Sequence, residues 1–348
     1  MQASEAAVVG GVSAAAGGAA AAAGETVDQF YSEALRDALR LEMTRDPRVI
    51  VMGEDIAEHG GAFQVTAGLL ADFGPARIRQ TPISEIGIVG AGVGAALTGL
   101  RPVVELMYID FAGLAIDQIV NQAAQNRFMF GGQARVPLVV RTQGGSGRGN
   151  AAQHSKSLEA WFTHVAGLKV VMPATPADAK GLLTAAIRDD DPVMFIEHKL
   201  LYRTKGPVPV GEHVVPLGKA DVKRAGRDLT IVTWSREVLL ALEAAKQLAA
   251  DGIEAEVIDL RTLVPLDAAA VLASVQKTGR VVILHEAPRT CGYGAELSAL
   301  IAERALTSLQ APVLRVTGYD TPFPYTLEHS YLPDSPRVLR AIEHVMSY

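Results

Sequence analysis

A glutamate at the edge of an uncharged stretch is the first candidate for chemistry in this sequence. Glu85 stands in Thr-Pro-Ile-Ser-Glu-Ile-Gly, residues 81–87, and residues 86–100 carry no ionisable side chain. A carboxylate in an apolar pocket loses solvation, which raises its pKa and makes it a candidate for proton chemistry. The alternative is a structural role, in which the carboxylate caps a helix beginning near Ser84 by accepting bonds from backbone N–H groups.

The glycines that follow Glu85 also match a dinucleotide-binding pattern. Residues 86–95 fit Gly-x-Gly-x-x-Ala after an apolar run, and Glu105 could then bind a ribose. The spacing argues against this interpretation, because the acid should lie about 20 residues beyond the glycines. Glu105 is only 15 positions after Gly90. We therefore favour a helix that begins near Ser84 and ends at Gly99, with small residues that allow close packing.

His154 is the second candidate, because it follows a glycine-rich loop at residues 144–149. The loop comes after a predicted buried strand at residues 136–141, and parallel sheets place ligand sites at the carboxyl ends of their strands. A lone histidine is more often structural, so its position alone does not distinguish a catalytic role from a structural one. The loop could be mistaken for a phosphate cradle, but it lacks the Lys-Ser/Thr ending of a P-loop.

Length, charge and cysteine content limit the classes of function. The chain has 348 residues, enough for two domains, and its net charge of -6 gives no reason to expect nucleic-acid binding. One cysteine excludes an intramolecular disulfide framework. The longest uncharged apolar stretch has 15 residues and five glycines, whereas a membrane span needs about 20 apolar residues. With no targeting segment recognised, we expect a cytoplasmic protein and a disordered Ala/Gly-rich tail at residues 1–25.

Short apolar runs alternate with helical patterns from residue 26 onward. This alternation predicts α/β domains, each with a parallel sheet covered by helices on both faces. Residues 204–218 are rich in Pro and Gly and are the predicted linker. The predicted domains are residues 26–203 and a smaller one at 219–348. Helices are predicted at residues 28–44 and 112–130.

Several short segments occur in the order found in one enzyme family. They are Met-Gly-Glu-Asp at 52–55, Thr-Pro-Ile-Ser-Glu at 81–85, Asp-Gln-Ile at 117–119, Ala-Ala-Gln-His-Ser at 151–155, Gly-Leu-Lys-Val-Val at 167–171 and Asp-Ala-Lys-Gly-Leu-Leu at 178–183. From about residue 27 to the end, the chain closely resembles the β subunit of thiamine-diphosphate-dependent 2-oxo acid dehydrogenase E1 components. The resemblance implies a pyrimidine-binding α/β domain of the transketolase type, followed by a transketolase C-terminal-like domain.

The resemblance also implies an obligate partner. E1 of this family is an α2β2 heterotetramer with thiamine diphosphate bound between α and β. Its α subunit holds the diphosphate and Mg²⁺ through a Gly-Asp-Gly motif followed by Asn, and this chain has no Gly-Asp-Gly. The further expected partner is the E2 acyltransferase, through its lipoyl and subunit-binding domains. The second domain is expected to support dimerisation and to dock E2.

The segment at 151–155 is more similar to the pyruvate and acetoin members than to the branched-chain members. The implied reaction is oxidative decarboxylation of pyruvate with acetylation of the E2 lipoyl group. Acetoin cleavage and branched-chain 2-oxo acid oxidation are the near alternatives. An NAD oxidoreductase and a non-catalytic scaffold that docks E2 are remote ones.

The resemblance assigns roles to particular residues. Glu85 matches the carboxyl group that bonds N1′ of the pyrimidine and promotes the imino tautomer, which removes the thiazolium C2 proton. Phe111 matches the aromatic residue that stacks on the pyrimidine, and Met107 and Gln118 are candidates for the same pocket. His154 matches the histidine that protonates the dihydrolipoyl sulfur or stabilises the substrate adduct. The loop before it is then expected to be a flexible wall of the lipoyl channel.

An acidic turn at residues 188–192 suggests a metal site only through the resemblance. Some β subunits of the family bind a structural K⁺, mostly through backbone carbonyls. The matching residues are Leu138, Ala186, Ile187, Asp189 and Asp191. The alternative is an exposed acidic turn without a metal. No catalytic role is expected for Cys291 or for the pair His285-Glu286.

Overall fold

Two large sheets organise the described chain, helices cover both faces of each, and a third sheet has only two strands. The computed structural model describes residues 24–348, so nearly all of the tail predicted to be disordered lies outside the described residues. The strands are β1 (Thr26–Phe30), β2 (Val49–Gly53), β3 (Ile78–Gln80), β4 (Arg101–Leu106), β5 (Val139–Gly144), β6 (Lys169–Val171), β7 (Val193–His198), β8 (Lys205–Pro209), β9 (Asp221–Arg224), β10 (Leu229–Thr233), β11 (Ala255–Asp259), β12 (Thr262–Val264), β13 (Val281–Pro288) and β14 (Leu314–Gly318).

Helices fill most of the connections between these strands. They are α1 (Tyr31–Arg45), α2 (Leu69–Phe73), α3 (Glu85–Leu97), α4 (Ala124–Met129), α5 (Glu159–Thr163), α6 (Pro176–Arg188), α7 (Glu237–Ala250), α8 (Ala268–Thr278), α9 (Tyr293–Ala305), α10 (Glu328–Tyr331) and α11 (Ser335–Met346). None of the helices in the described residues is long and apolar enough to cross a bilayer.

The first sheet has seven strands in the order β12-β6-β7-β5-β4-β2-β3. All its pairs are parallel except β12–β6. The second sheet has the order β14-β13-β10-β11-β9, and only β9 runs antiparallel. Parallel strands end at the same edge, so the segments after β2, β3, β4, β5 and β7 meet at one edge of the first sheet.

The strands of the first sheet are buried on both faces, as their continuous apolar runs predict. One face packs against α1 and α6, and the other against α3 and the irregular helical turns that follow β4. Gly92 brings α3 onto the sheet, because a Cβ at this position would lie 2.8 Å from Val104 Cγ1. The small residues after Glu85 thus serve close packing, as the sequence indicated.

The α/β class of the fold is confirmed, and three local predictions need correction. Residues 28–30 were predicted to be helical but lie in β1, which pairs with β8 inside the predicted linker. The predicted helix at 112–130 is a 3₁₀ segment (Ile109–Ala115), a π segment (Gln118–Ala123) and α4. The third concerns the predicted second domain, residues 219–348. Its strand β12 pairs with β6 and so belongs to the first sheet.

Buried carboxyl groups from both domains lie where the first domain contacts the second. Glu159 begins α5 in the first domain and accepts a bond from Trp234 Nε1 at 3.4 Å. Glu237 begins α7, and one of its oxygens has no hydrogen-bond partner among the described residues. Burial raises the pKa of Glu159 to about 7 and that of Glu237 to about 8. Both groups therefore take up protons when the chain folds near neutral pH.

We predict that Glu237→Gln stabilises the protein relative to wild type only at alkaline pH. A raised carboxyl pKa means that stability falls as pH rises from about 4.5 to about 8, because the folded state holds the proton more tightly. The gain in unfolding free energy over wild type should grow by at least about 1 kcal/mol between pH 5 and pH 9 in urea titrations. Exposed Glu303→Gln is the control, and a gain that does not change with pH would contradict the prediction.

Candidate active site at the carboxyl edge of the first sheet

Glu85 is the first residue of α3 and follows the short loop after β3. It is 7% exposed, although its neighbours Ile83 and Ile86 are largely exposed. The Glu85 carboxylate forms no hydrogen bond within residues 24–348, and the preceding residue, Ser84, caps no backbone N–H group. The capping role is therefore not supported. A buried carboxylate that is free of internal bonds is available to bind a ligand.

Glu54 is a second buried acid near Glu85, at the end of the neighbouring strand β2. Its Oε1 is buried without a hydrogen-bond partner in the described chain. Burial raises the pKa of Glu54, and the charges of Glu85, Asp55 and Glu105 raise it further. Sequence reasoning missed Glu54 as a site residue, although it stood in the segment 52–55. An acid directly after a buried strand was the signal that could have found it.

The other predicted pocket residues follow β4, in the irregular segments that pack against α3. Gln118 lies beside α3, since a Cβ on Gly90 would be 3.5 Å from Gln118 Cγ. The Oε1 atom of Gln118 is buried and has no partner among the described residues. Phe111 and Met107 are half-buried in the same region. Unpaired buried acceptors next to an aromatic ring fit a polar heterocycle better than they fit a closed core.

His154 lies against two aromatic rings from the segment after β4. Its ring centroid is 5.3 Å from that of Phe111 and 5.7 Å from that of Tyr108, both edge-to-face. Phe111 therefore connects the helix-packing segment beside Glu85 with His154. Tyr108, which sequence reasoning did not identify, also lies 4.8 Å from the Nζ atom of Lys199. Burial lowers the pKa of Lys199 to about 8.

A buried arginine holds the strands beneath this edge. Arg141 in β5 donates to Glu197 in β7 at 2.6 and 2.8 Å, and to Glu105 in β4 at 2.7 Å. All three side chains are 4% exposed or less. Glu105 is thus engaged inside the sheet and is not presented to a ribose. The dinucleotide interpretation loses the acid that it requires.

The five residues predicted to bind K⁺ lie around the turn after α6. Arg101 donates to the carbonyls of Ile187 at 3.1 Å and Asp189 at 2.9 Å, and Lys169 bonds the Asp189 carboxylate. A carbonyl oxygen can accept two bonds, so these contacts leave capacity for a cation but place a positive charge beside it. The carbonyls of Leu138 and Ala186 each accept one backbone bond. Binding of K⁺ stays a prediction.

Comparison with known proteins agrees with the fold. The family model for the transketolase pyrimidine-binding domain matches residues 29–205, and that for the transketolase C-terminal domain matches residues 218–338. A solved structure described as a split-gene transketolase, an inactive β4 tetramer, superposes with a TM-score of 0.74 over 93% of this chain and 99% of the other. At 23% identity, that likeness shows the fold alone.

Curated relatives cover almost the whole chain. The β subunit of the acetoin:2,6-dichlorophenolindophenol oxidoreductase of Cupriavidus necator is 49% identical over 90% of this chain and 96% of its own length. The pyruvate dehydrogenase E1 β subunit of Rickettsia felis is 48% identical over 91% and 98%. The 2-oxoisovalerate dehydrogenase β subunit of Bacillus subtilis is 44% identical over 91% and 98%.

The fold and the two family models define a two-domain chain of the transketolase type. Within that class, the protein belongs to the family of E1 β subunits of 2-oxo acid dehydrogenases. The resemblance that the ordered segments indicated is thereby confirmed.

We predict that Arg141→Met destabilises the fold strongly. The substitution leaves the Glu105 and Glu197 carboxylates buried without a counter-charge, and breaking a buried pair in this way costs about 3–5 kcal/mol. Urea unfolding of the purified chain measures the loss, with the exposed Arg304→Met as control. A loss below about 1 kcal/mol would show that the buried charges are not what holds β4, β5 and β7 together.

Proposed function

We propose that this chain is the β subunit of an E1 component that decarboxylates pyruvate and transfers the acetyl group to the lipoyl group of E2. The observation that carries the proposal is Glu85, a residue that is 7% exposed and forms no side-chain hydrogen bond in the described chain, on the same sheet edge as His154. Relatives named as pyruvate dehydrogenase E1 β subunits, at 46–48% identity, support the substrate.

Thiamine diphosphate is the cofactor that we propose for this site. When bound, it supplies a carbon nucleophile that adds to the 2-oxo group of the substrate. The Glu85 carboxyl group would hold a proton at the N1′ atom of the pyrimidine, in a site where little water competes for it. Phe111 would stack on the ring, with Met107 and the free Oε1 of Gln118 completing this side of the pocket.

The diphosphate and its Mg²⁺ are assigned to an α subunit. Within residues 24–348, no group of three or more His, Cys, Asp or Glu side chains could hold a metal ion. An apolar surface also borders Glu85, since Ile83 is 79% exposed and Ile86, the next residue along the chain, is 55% exposed. Exposed apolar residues next to a site are typical of a surface that a partner covers. The α subunit would both cover this surface and complete the site.

His154 would act on the second half of the reaction. Its half-buried imidazole can give a proton to the sulfur of the dihydrolipoyl group or donate a bond to the substrate adduct. Phe111 and Tyr108 fix the plane of the ring, so that its nitrogens keep one direction. We propose that the second domain binds E2 and supports dimerisation.

The direct test is reconstitution with the α chain that co-purifies with this protein. The complex with thiamine diphosphate and Mg²⁺ should reduce a dye acceptor with pyruvate and acetylate a lipoyl domain, whereas this chain alone should do neither. Robust turnover by the isolated chain would refute the subunit assignment. Acetoin is the second candidate substrate, because relatives that are 47% and 49% identical carry that name. A higher kcat/KM for acetoin than for pyruvate would move the assignment to it.

We predict different patterns of loss for two substitutions in the reconstituted complex. Glu85→Gln should lower dye-coupled decarboxylation by at least about 100-fold, the range typical for loss of an acid–base group. His154→Ala should lower acetyl transfer to the lipoyl domain at least tenfold more than it lowers dye reduction. Equal losses in both assays for His154→Ala, or near wild-type dye reduction by Glu85→Gln, would contradict the assigned roles.

A further inference from the structure

The glycine-rich loop before His154 turns its backbone N–H groups toward the second domain. Gly145, Gly147 and Gly149 have φ values of +83°, +94° and +68°, so left-handed residues alternate along the loop. Successive N–H groups in such a conformation form a concavity that binds anions. The sequence lacked the ending of a phosphate-binding loop, and the structure shows that carboxylates of this same chain bind these N–H groups.

Glu286, near the end of β13, is the first of these carboxylates. Its Oε1 accepts from the Ser146 backbone N–H at 2.8 Å, from Ser146 Oγ at 2.6 Å and from Ser157 Oγ at 3.1 Å. His198 Nε2 lies 2.7 Å from the other oxygen, while His198 Nδ1 accepts from the N–H of Leu200 at 3.1 Å. Since Nδ1 is an acceptor, Nε2 carries the proton and donates it to Glu286.

The charge of Glu286 is retained despite its burial. Burial by itself would raise the pKa, but His198 and the bonds from Ser146 outweigh it and lower the pKa to about 2. Charge-assisted bonds to an ionised carboxylate are stronger than neutral ones. The Glu286 carboxylate therefore stays ionised near neutral pH and accepts the bonds that hold the first half of the loop.

Glu328, at the start of α10, binds the second half of the loop. Its carboxylate accepts from the N–H of Gly147 at 3.2 Å and from the N–H of Gly149 at 3.1 Å. Tyr325 belongs to the same segment, and a Cβ on Gly149 would lie 3.8 Å from its ring. On the opposite side of the loop, Lys199 Nζ donates to the Gly145 carbonyl at 3.0 Å.

At two of these glycines, the neighbouring side chains also leave no room for a Cβ atom. A Cβ on Gly145 would lie 2.1 Å from His198 Nε2, and one on Gly147 would lie 2.5 Å from Leu200 Cδ1. The loop is therefore pressed against the segment after β7 on one side and bound by the second domain on the other. These contacts restrain the loop, whereas the flexible channel wall expected from the sequence stays a prediction.

We propose that Glu286 and Glu328 are positioning residues, with which the second domain holds the loop and so places His154 for acyl transfer. The inference rests on the proposed function for the role of His154, while the hold on the loop stands on the contacts alone. His154 is five residues beyond Gly149, so freeing the loop would release the histidine from the rings of Phe111 and Tyr108.

The test compares Glu328→Ala with Glu303→Ala, an exposed glutamate of the same domain, in the reconstituted complex with its α chain. Hydrogen exchange of the peptide covering residues 144–150 should be at least tenfold faster in Glu328→Ala and unchanged in the control. The ratio of lipoyl acetylation to dye reduction should fall at least fivefold. Glu328→Gln should recover part of both, since its amide oxygen can still accept one of the two N–H groups.

The outcomes separate the two proposals. Unchanged exchange in Glu328→Ala overturns the hold on the loop, whatever the complex catalyses. Faster exchange with an unchanged ratio of the two rates overturns the role in placing His154. If the wild-type complex turns over neither pyruvate nor acetoin, the proposed function fails while the exchange measurement still decides about the loop. Glu286→Gln provides a second variant, which should accelerate exchange at Ser146 more than at Gly149.

Discussion

The buried charge of Arg141 is the constraint on which the rest of the site depends. A guanidinium without water needs its carboxylates at bonding distance, and these come from the strands on either side, at Glu105 and Glu197. A shift of one strand by a single residue would turn a carboxylate to the opposite face of the sheet. The three charges thus specify the register of β4, β5 and β7. The register in turn determines where each strand ends and where its following loop begins.

The order imposed by this charge extends to the surface through aromatic contacts. Tyr202 bonds Glu197 and stacks on Phe63, with ring centroids 4.2 Å apart. Phe63 packs edge-to-face on Tyr108, which in turn contacts His154. Aromatic side chains have few rotatable bonds, so each packed ring restricts the position of the next one. The catalytic histidine proposed here is therefore supported from below by the sheet as well as from the side by the second domain.

The sequence suggests site candidates where the informative residues are close together along the chain. Glu85 and His154 are candidates because each lies in a short segment that resembles the family. The alternation of apolar runs predicts the α/β class, which the structure confirms. Local patterns failed at β1, since that strand depends on pairing with β8, about 180 residues away. The role of Glu328 was equally invisible, because its partners Gly147 and Gly149 lie 181 and 179 positions earlier.

Glycine-rich loops are usually interpreted by the anion that they bind from solution, and here the anion is built into the chain. A loop with left-handed glycines needs a negative charge to compensate its converging N–H groups. Had the loop been left open, phosphate groups or carboxylates could compete for it beside the candidate active site. With Glu286 and Glu328 in place, the same N–H groups instead join the two domains. According to the proposal, the second domain positions His154 through the loop that Glu286 and Glu328 hold.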